Sequence, residues 1–175
     1  MPPSASSDIR KQMPESPTSK HVIEGHRAWL RGRIESLEAG ARSAQEGMRV
    51  DGDHRPASRG ERGAVSERGA MRAGLLMRVA ALKDSLGELD AIPVRDGHER
   101  VVAGAVFQVD DGDDVWWMAI LPGGQGVEVR VQGGSVRVIS PQAPMARALL
   151  GLEVDDVAEL QLPGRELELE ITALA

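Results

Sequence analysis

Between Val50 and Gly63 the chain reads VDGDHRPASRGERG, with two aspartates, a glutamate, a histidine and three arginines around one proline. Carboxylates are the side chains with which a protein most often holds a hard cation or orients a water for attack. Asp51, Asp53 and Glu61 are therefore the candidates for chemistry. Each also has a plain structural reading. Ser58, Arg59, Gly60 and Glu61 spell an S-x-x-E capping box, in which Glu61 would satisfy the Ser58 amide at a helix start. Asp51 and Asp53 flank Gly52, as turn-forming aspartates do. His54 has no partner at metal-site spacing and reads as a solvated loop residue. Arg49, Arg55, Arg59 and Arg62 surround the carboxylates, so the segment is not a purely acidic knob.

Two helices must position this segment. From Val22 onward Leu30, Ile34, Leu37, Ala41, Ala44 and Met48 alternate by four and three, the seam of a coiled coil, and Ile23 extends it backwards. Arg31 with Glu35, Glu38 with Arg42 and Arg42 with Glu46 stand four apart on the outer face. After the turn the rhythm returns in Leu75, Val79, Leu82, Leu86 and Leu89 and stops before Pro93. The expectation is an antiparallel hairpin over 21–92 with its tip near 50–63, each arm roughly 40 Å long at 1.5 Å per residue. Gly25, Gly32, Gly40, Gly47, Gly69 and Gly74 should weaken it, each by about 1 kcal/mol against alanine. Arg59, Arg62, Arg68, Arg72 and Arg78 line the second helix, either as a solvated face or as contacts for phosphates or an acidic wall.

Residues 1–20 hold Pro2, Pro3, Pro14 and Pro17 among serines and few apolar side chains, the composition of a flexible tail. From Pro93 to residue 175 the period becomes two. VVAGAVFQV, VWWMAIL, VEVRV and VRVIS are strands separated by DDGDD, PGGQG and QGG. A short helix follows from Pro144 to Leu150, with proline in its first turn and Gly151 just past its end. In the last hairpin Leu167, Leu169 and Ile171 face inward and Glu166, Glu168 and Glu170 outward. The fold class is α+β: a helical hairpin, then a small antiparallel sheet with one buried face and one short helix. Asp110 to Asp114 lacks the ligand spacing of a calcium loop and reads as a hairpin turn. Trp116 and Trp117 are neighbours in a strand, so one enters the core and the other is available to a partner.

Bulk properties narrow the function classes. A formal charge of −6 and the absence of a strongly basic balance argue against a protein that coats nucleic acid. No cysteine is present, so disulfides and thiolate metal sites are excluded. Aromatic residues make up 2% of the chain, a poor stock for stacking bases or lining a pocket. No apolar run has the length of a signal core or a membrane span, so the expected location is the cytoplasm, with no membrane partner.

The C-terminal residues resemble a known family. ISPQAPMARALLGLEVDDV, followed by LPG and the alternating ELELEI, is similar to the C-terminal domain of the Gre-type bacterial transcription elongation factors. Ile139, Ser140, Pro144, Leu149, Leu150, Gly151, Asp155, Asp156, Val157, Pro163 and Gly164 fall on that pattern without a gap. Ala143 stands where the family usually has serine. RVVAGAVFQV resembles the family's first C-terminal strand, with Gly104 on its glycine, and the helical hairpin corresponds to its other domain.

The resemblance implies an FK506-binding-like C-terminal domain that seats on bacterial RNA polymerase, with Ser140, Pro144, Trp117, Asp155 and Asp156 as candidate contacts. It implies a coiled coil inserted into the secondary channel, through which nucleotides reach the polymerase. Tip carboxylates then stand beside the catalytic Mg²⁺ as backtracked RNA is cleaved, the role of the second ion in two-metal hydrolysis. Counting back from Arg78, Glu61 falls on the tip glutamate and Ser58 on the tip aspartate. Asp51 and Asp53 are the other carboxylates within reach, and Arg59, Arg62, Arg68 and Arg72 are candidates to contact RNA or the channel wall.

Such a factor is an accessory, not an enzyme. It binds no metal or cofactor alone and shares only the polymerase Mg²⁺, and it meets the nascent RNA indirectly. A self-paired hairpin points to a monomer. A second reading keeps the channel binding and drops the cleavage, leaving a regulator of initiation or pausing. Prolyl isomerisation, a third reading raised by the fold resemblance, needs an apolar, largely aromatic pocket. The C-terminal domain offers only Phe107, Trp116 and Trp117 for it.

Overall fold

A computed structural model describes residues 16–46, 59–132, 134–162 and 165–175; for Arg59, Glu61, Arg62, Leu162 and Arg165 it describes the backbone alone. Two helices, α1 (Ser19–Glu46) and α2 (Arg59–Asp90), precede strands β1 (Val106–Asp110), β2 (Val115–Ile120), β3 (Gln125–Val131) and β4 (Gly134–Ile139). Helix α3 (Pro144–Leu149) and strands β5 (Val157–Leu162) and β6 (Arg165–Leu174) complete the chain.

The hairpin seam forms where the heptads place it. Leu30, Ile34, Leu37 and Ala41 of α1 and Val79, Leu82 and Leu89 of α2 are buried, while Ala44, Leu75 and Leu86 are half-buried. Met48 lies outside the described residues. The ion pairs that close run between the helices: Arg27 with Asp90 and Lys83 with Glu38, each at 2.8 Å. The hydrogen bond and charge of Lys83 hold the Glu38 carboxyl below its usual range. Solvent screens such exposed pairs, so the apolar seam, worth about 2 kcal/mol for each fully buried Leu or Ile, is what holds the helices together.

Helix α1 begins at Ser19, earlier than its apolar rhythm suggests, because its first turn is capped twice. Thr18 Oγ1 accepts the His21 N–H at 3.4 Å, and Asp96 Oδ1 accepts the Ser19 N–H at 2.8 Å. A carboxylate there also meets the positive end of the helix dipole. Pro17 and Ser19 are buried, so the end of the segment expected to be a tail belongs to the fold.

The sheet has six strands in the order β3-β4-β2-β1-β6-β5. The antiparallel expectation holds at four of its five pairings and gives way at β2 and β4, which run parallel with Trp117 opposite Val136 and Ala119 opposite Val138. Strand β3 turns back on β4, and β4 inserts between it and β2, so the two inner strands share a direction. The first expected strand starts late, at Val106. Residues 101–105 form a turn in which Gly104, at φ 96°, lies so close to the linker that a Cβ would stand 2.6 Å from Ile92 Cγ2.

Contrary to the one-face expectation, both faces of the sheet are covered. Val106, Trp117, Ala119, Val129, Val136 and Val138 join Val22, Ile23 and Leu30 under the hairpin. Phe107, Met118, Ile120, Leu169 and Ile171 pack on the opposite face with Ala146 and Leu149 of α3. Double coverage accounts for the unbroken apolar run of β2, since a strand buried on both sides has no polar face to alternate with.

The hairpin is rooted on the sheet through α1. His26 is fully buried and its Nε2 lies 2.9 Å from the Pro122 carbonyl oxygen. That acceptor requires the proton on Nε2, leaving Nδ1 as a buried lone pair without a donor. Trp29 stacks on the ring at 5.7 Å. One turn earlier Gly25 touches β3, where a Cβ would stand 2.5 Å from Val129 Cγ1. Gly25 is therefore a point of close approach, whereas nothing lies within 4 Å of a Cβ built on Gly32.

The two glycines should answer oppositely to alanine. Gly32→Ala should raise the thermal midpoint by about 2–4 °C through helix propensity alone. Gly25→Ala should lower it, because displacing Val129 costs about 1–3 kcal/mol against a propensity gain of about 1. Calorimetry of the two variants checks the pair.

Burial lowers the His26 pKa, against a smaller upward pull from its bond to Pro122. The folded state therefore refuses a proton that the unfolded chain accepts below about pH 6.5. Stability should fall as pH drops from about 6.5 through the lower folded value, and His26→Gln should flatten that slope in denaturant titrations at stepped pH.

Candidate functional site

The sequence placed its chemistry at the far end of the hairpin. Asp51, Asp53, His54 and Ser58 lie outside the described residues, as does the side chain of Glu61. Helix α2 opens at Arg59, so Glu61 belongs to its first turn and Ser58 directly precedes the first helical residue. What the described residues establish is the arm that carries this end. At 1.5 Å per residue, the 28 residues of α1 and 32 of α2 run on the order of 40–50 Å from the root. Arg68 and Arg78 are exposed along α2 and Arg72 is half-buried.

A second candidate surface surrounds α3. Ser140 directly follows β4 and shapes the turn into the helix: its hydroxyl donates to Gln142 Oε1, and its carbonyl accepts the Ala143 N–H at 3.0 Å. Pro144 follows, exposed, as the first helical residue, where a missing N–H costs nothing. At the helix end Gly151 takes φ 89° and donates to the Val101 carbonyl, while Val101 donates to Leu152, so this corner is tied to the turn before β1.

The acidic pair is exposed yet committed to structure. Asp155 adopts φ 71° and its N–H donates to the Ile171 carbonyl at 2.8 Å. Asp156 accepts the Glu153 N–H through Oδ2 at 2.8 Å and the Ile171 N–H through its carbonyl. Leu150, Val154 and Val157 are exposed beside them, at 38%, 42% and 53%. An apolar rim around two carboxylates is a surface suited to a protein partner carrying basic and apolar groups.

Trp117 does not share this surface. It is 9% exposed and packs beneath the helical hairpin. Alternation along β2 instead sends Trp116 to the α3 face, beside Met145 and Ala148, with the Arg137 guanidinium 5.6 Å from its ring centroid. Alternation was legible in the sequence, but which tryptophan is covered was not, because that depends on the hairpin packing on the far side. Of the two tryptophans that the sequence offered, Trp116 is thus the one on the candidate surface, and Met145 is a candidate there that the sequence did not single out.

The remaining candidates resolve into turns and core. In the turn between β1 and β2, Asp110 Oδ1 accepts the Gly112 N–H at 2.7 Å, and Asp111 Oδ1 accepts those of Asp113 and Asp114. Among the described residues no three His, Asp or Glu side chains could jointly hold a metal ion. Phe107 is fully buried with Trp117 on the opposite face, so the described aromatics of the sheet do not converge on a pocket for a proline substrate. No helix among the described residues is long and apolar enough to cross a membrane.

Comparison with known proteins agrees with the sequence pattern. Residues 123–175 match the family model described as transcription elongation factor, GreA/GreB, C-terminal. The chain is 38% identical over 102 residues to the transcription elongation factor GreA of Sulfurovum sp. (strain NBC37-1), a match spanning 57% of this chain and 57% of the relative. Among solved structures, GreA factor homolog 1 of Thermus thermophilus aligns over 89% of this chain and 96% of its own, with 23% identity and a TM-score of 0.35. A GreA/GreB factor from Nitrosomonas europaea covers 61% of this chain and 91% of its own, with 22% identity and a TM-score of 0.35.

The two aspartates differ in what their side chains do for the fold. Asp155→Gly should leave the thermal midpoint unchanged or raise it, because glycine takes a positive φ without strain. Asp156→Ala should lose about 1 kcal/mol with the Glu153 bond. Thermal denaturation of both variants makes the check, and Asp155→Gly is then a clean probe of partner binding.

Proposed function

We propose that this chain is a Gre-type transcription elongation factor that binds bacterial RNA polymerase and carries a helical arm into its secondary channel. The observation that supports it most is the combination of that family match over 123–175 with a long, self-packed hairpin rooted rigidly on the same domain. An arm of this length delivers its far end tens of ångströms from the docking surface. Its stiffness comes from the buried seam and its aim from the root at His26 and Gly25.

In this reading the surface around α3 seats on the polymerase. Ser140 and Pro144 fix the loop that leads into it, Asp155 and Asp156 supply charge, and Trp116 replaces Trp117 as the aromatic contact. At the far end Glu61, with Asp51 and Asp53 as reserves, faces the polymerase Mg²⁺ and orients the water that cleaves backtracked RNA. Arg59, Arg62, Arg68 and Arg72 offset the negative charge of the RNA or the channel wall. The factor acts as a monomer in the cytoplasm, brings no metal of its own and contributes ligands to an active centre that belongs to its partner.

A second reading is favoured by one feature of the sequence: Ser58 stands where the Gre pattern has its tip aspartate, with four arginines in the same stretch. A tip with fewer carboxylates and more positive charge would occupy the channel without feeding it a metal ligand, and so alter initiation or pausing.

A stalled, backtracked polymerase complex with 3′-labelled RNA and Mg²⁺ distinguishes the two. Release of short 3′ fragments on adding the protein, lost by about a hundredfold with Glu61→Ala, is the outcome expected for a cleavage factor. Absence of release, with binding shown by competition against a known channel-binding factor, would replace cleavage by occupancy. Failure to compete at all would overturn both readings.

A further inference from the structure

A cleft of about 260 Å³ opens where the two helices meet the loop between β2 and β3. Trp29 and Arg33 line it from α1, Arg78 and Ser85 from α2, and Gly123 and Gln125 from the loop. The spacing is regular: positions 29 and 33, and positions 78, 82 and 85, each follow one helical face down the side of the seam. The cleft is thus part of the root itself. Gly123 is pressed between the helices, and a Cβ on it would stand 3.0 Å from both Leu30 Cδ2 and Ser85 Cβ.

Two cations near the root are already answered within the hairpin. Arg27 and Lys83 are neutralised by Asp90 and Glu38. Neither Arg33 nor Arg78 forms an ion pair with a described residue, and no carboxylate lines the cleft. In a chain of formal charge −6, two guanidinium groups lining one concavity, without an ion-pair partner among the described residues, give it a local positive charge of the kind that attracts anions. The wall beside them is the half-buried indole of Trp29, held flat by its stack on His26, whose ring is fixed in turn by Pro122. A rigid indole next to two guanidinium groups suits a ligand with both a planar ring and a multiply charged anion. The Ser85 hydroxyl is 3.0 Å from the Ala81 carbonyl and keeps its lone pairs, and the Gln125 amide adds a donor and an acceptor for ring or sugar.

We infer that the cleft at the root of the hairpin binds a nucleoside polyphosphate, with the phosphates between Arg33 and Arg78 and the base against Trp29. At about 260 Å³ and open to solvent, the cleft lies below the usual range of small-molecule pockets, so it would hold the base and the nearer phosphates of one nucleotide and has no room for an oligonucleotide. Because the cleft joins both helices to the sheet domain, a bound nucleotide would cross-link the arm to its base and set how firmly the arm is aimed. The inference stands on the root alone and does not depend on what the arm enters.

Isothermal titration of the full chain with ATP, without polymerase, tests it. Saturable one-to-one binding is expected, weakened by about tenfold in each of Arg33→Ala and Arg78→Ala. Arg100→Ala, which removes the same charge far from the cleft, should leave the affinity unchanged. Pyrophosphate should bind about tenfold more weakly than ATP for want of a ring. Absence of ATP binding at concentrations on the order of 1 mM, equal weakening by Arg100→Ala, or pyrophosphate binding as tightly as ATP would each overturn the assignment.

Discussion

The seating of α1 on the sheet governs the rest of the molecule. A two-helix hairpin has no third partner along most of its length, so its direction is decided wholly where it touches something else. Here that place is small and crowded: Gly25 against Val129, His26 on the Pro122 carbonyl, and Leu30 against the glycine loop. Val22, Ile23 and Leu30 are at most 1% exposed at this root. Each such side chain contributes about 2 kcal/mol, far more than the exposed ion pair of Arg27 and Asp90 beside them. The polar elements at the root specify geometry rather than strength. A histidine with a single acceptor and an N-cap supplied from the linker each permit one arrangement of helix on sheet.

What could be read from the sequence follows the range over which the interactions act. The seam from Leu30 to Ala41 and from Val79 to Leu89 is a local rhythm, and so are the proline and glycine that bracket α3 and the glutamates that alternate along β6. All of these appear where the sequence places them. Contacts between distant positions were not legible. Asp96 caps a helix 77 residues earlier, and Pro122 accepts from a histidine 96 residues earlier. Gly25 looked like a weak point because nothing nearby in sequence shows that Val129 will lie against it. In the same way, the parallel pairing of β2 with β4 depends on a strand inserting between two others, which no alternation of side chains encodes.

The candidate docking surface shows the same division. Its turn chemistry, at Ser140 and at Asp155 and Asp156, was visible as motif. Its composition was not, because the choice between Trp116 and Trp117 depends on which face of the sheet the hairpin covers. Burial of Trp117 is a consequence of the root: it lies beneath the arm, while its neighbour Trp116 packs on the α3 face. One strand, β2, therefore contributes a tryptophan to each face of the sheet.

Among the described residues, the tightest contacts that fix the arm lie at its root, and the seam farther out runs through Ala41, Ala44 and the half-buried Leu75. The described packing therefore sets the direction of the arm from one end. Under the proposed function, this root would supply the aim of the arm, and the side chains at 51, 53, 58 and 61 its chemistry, because a fold alone does not specify what its ends do.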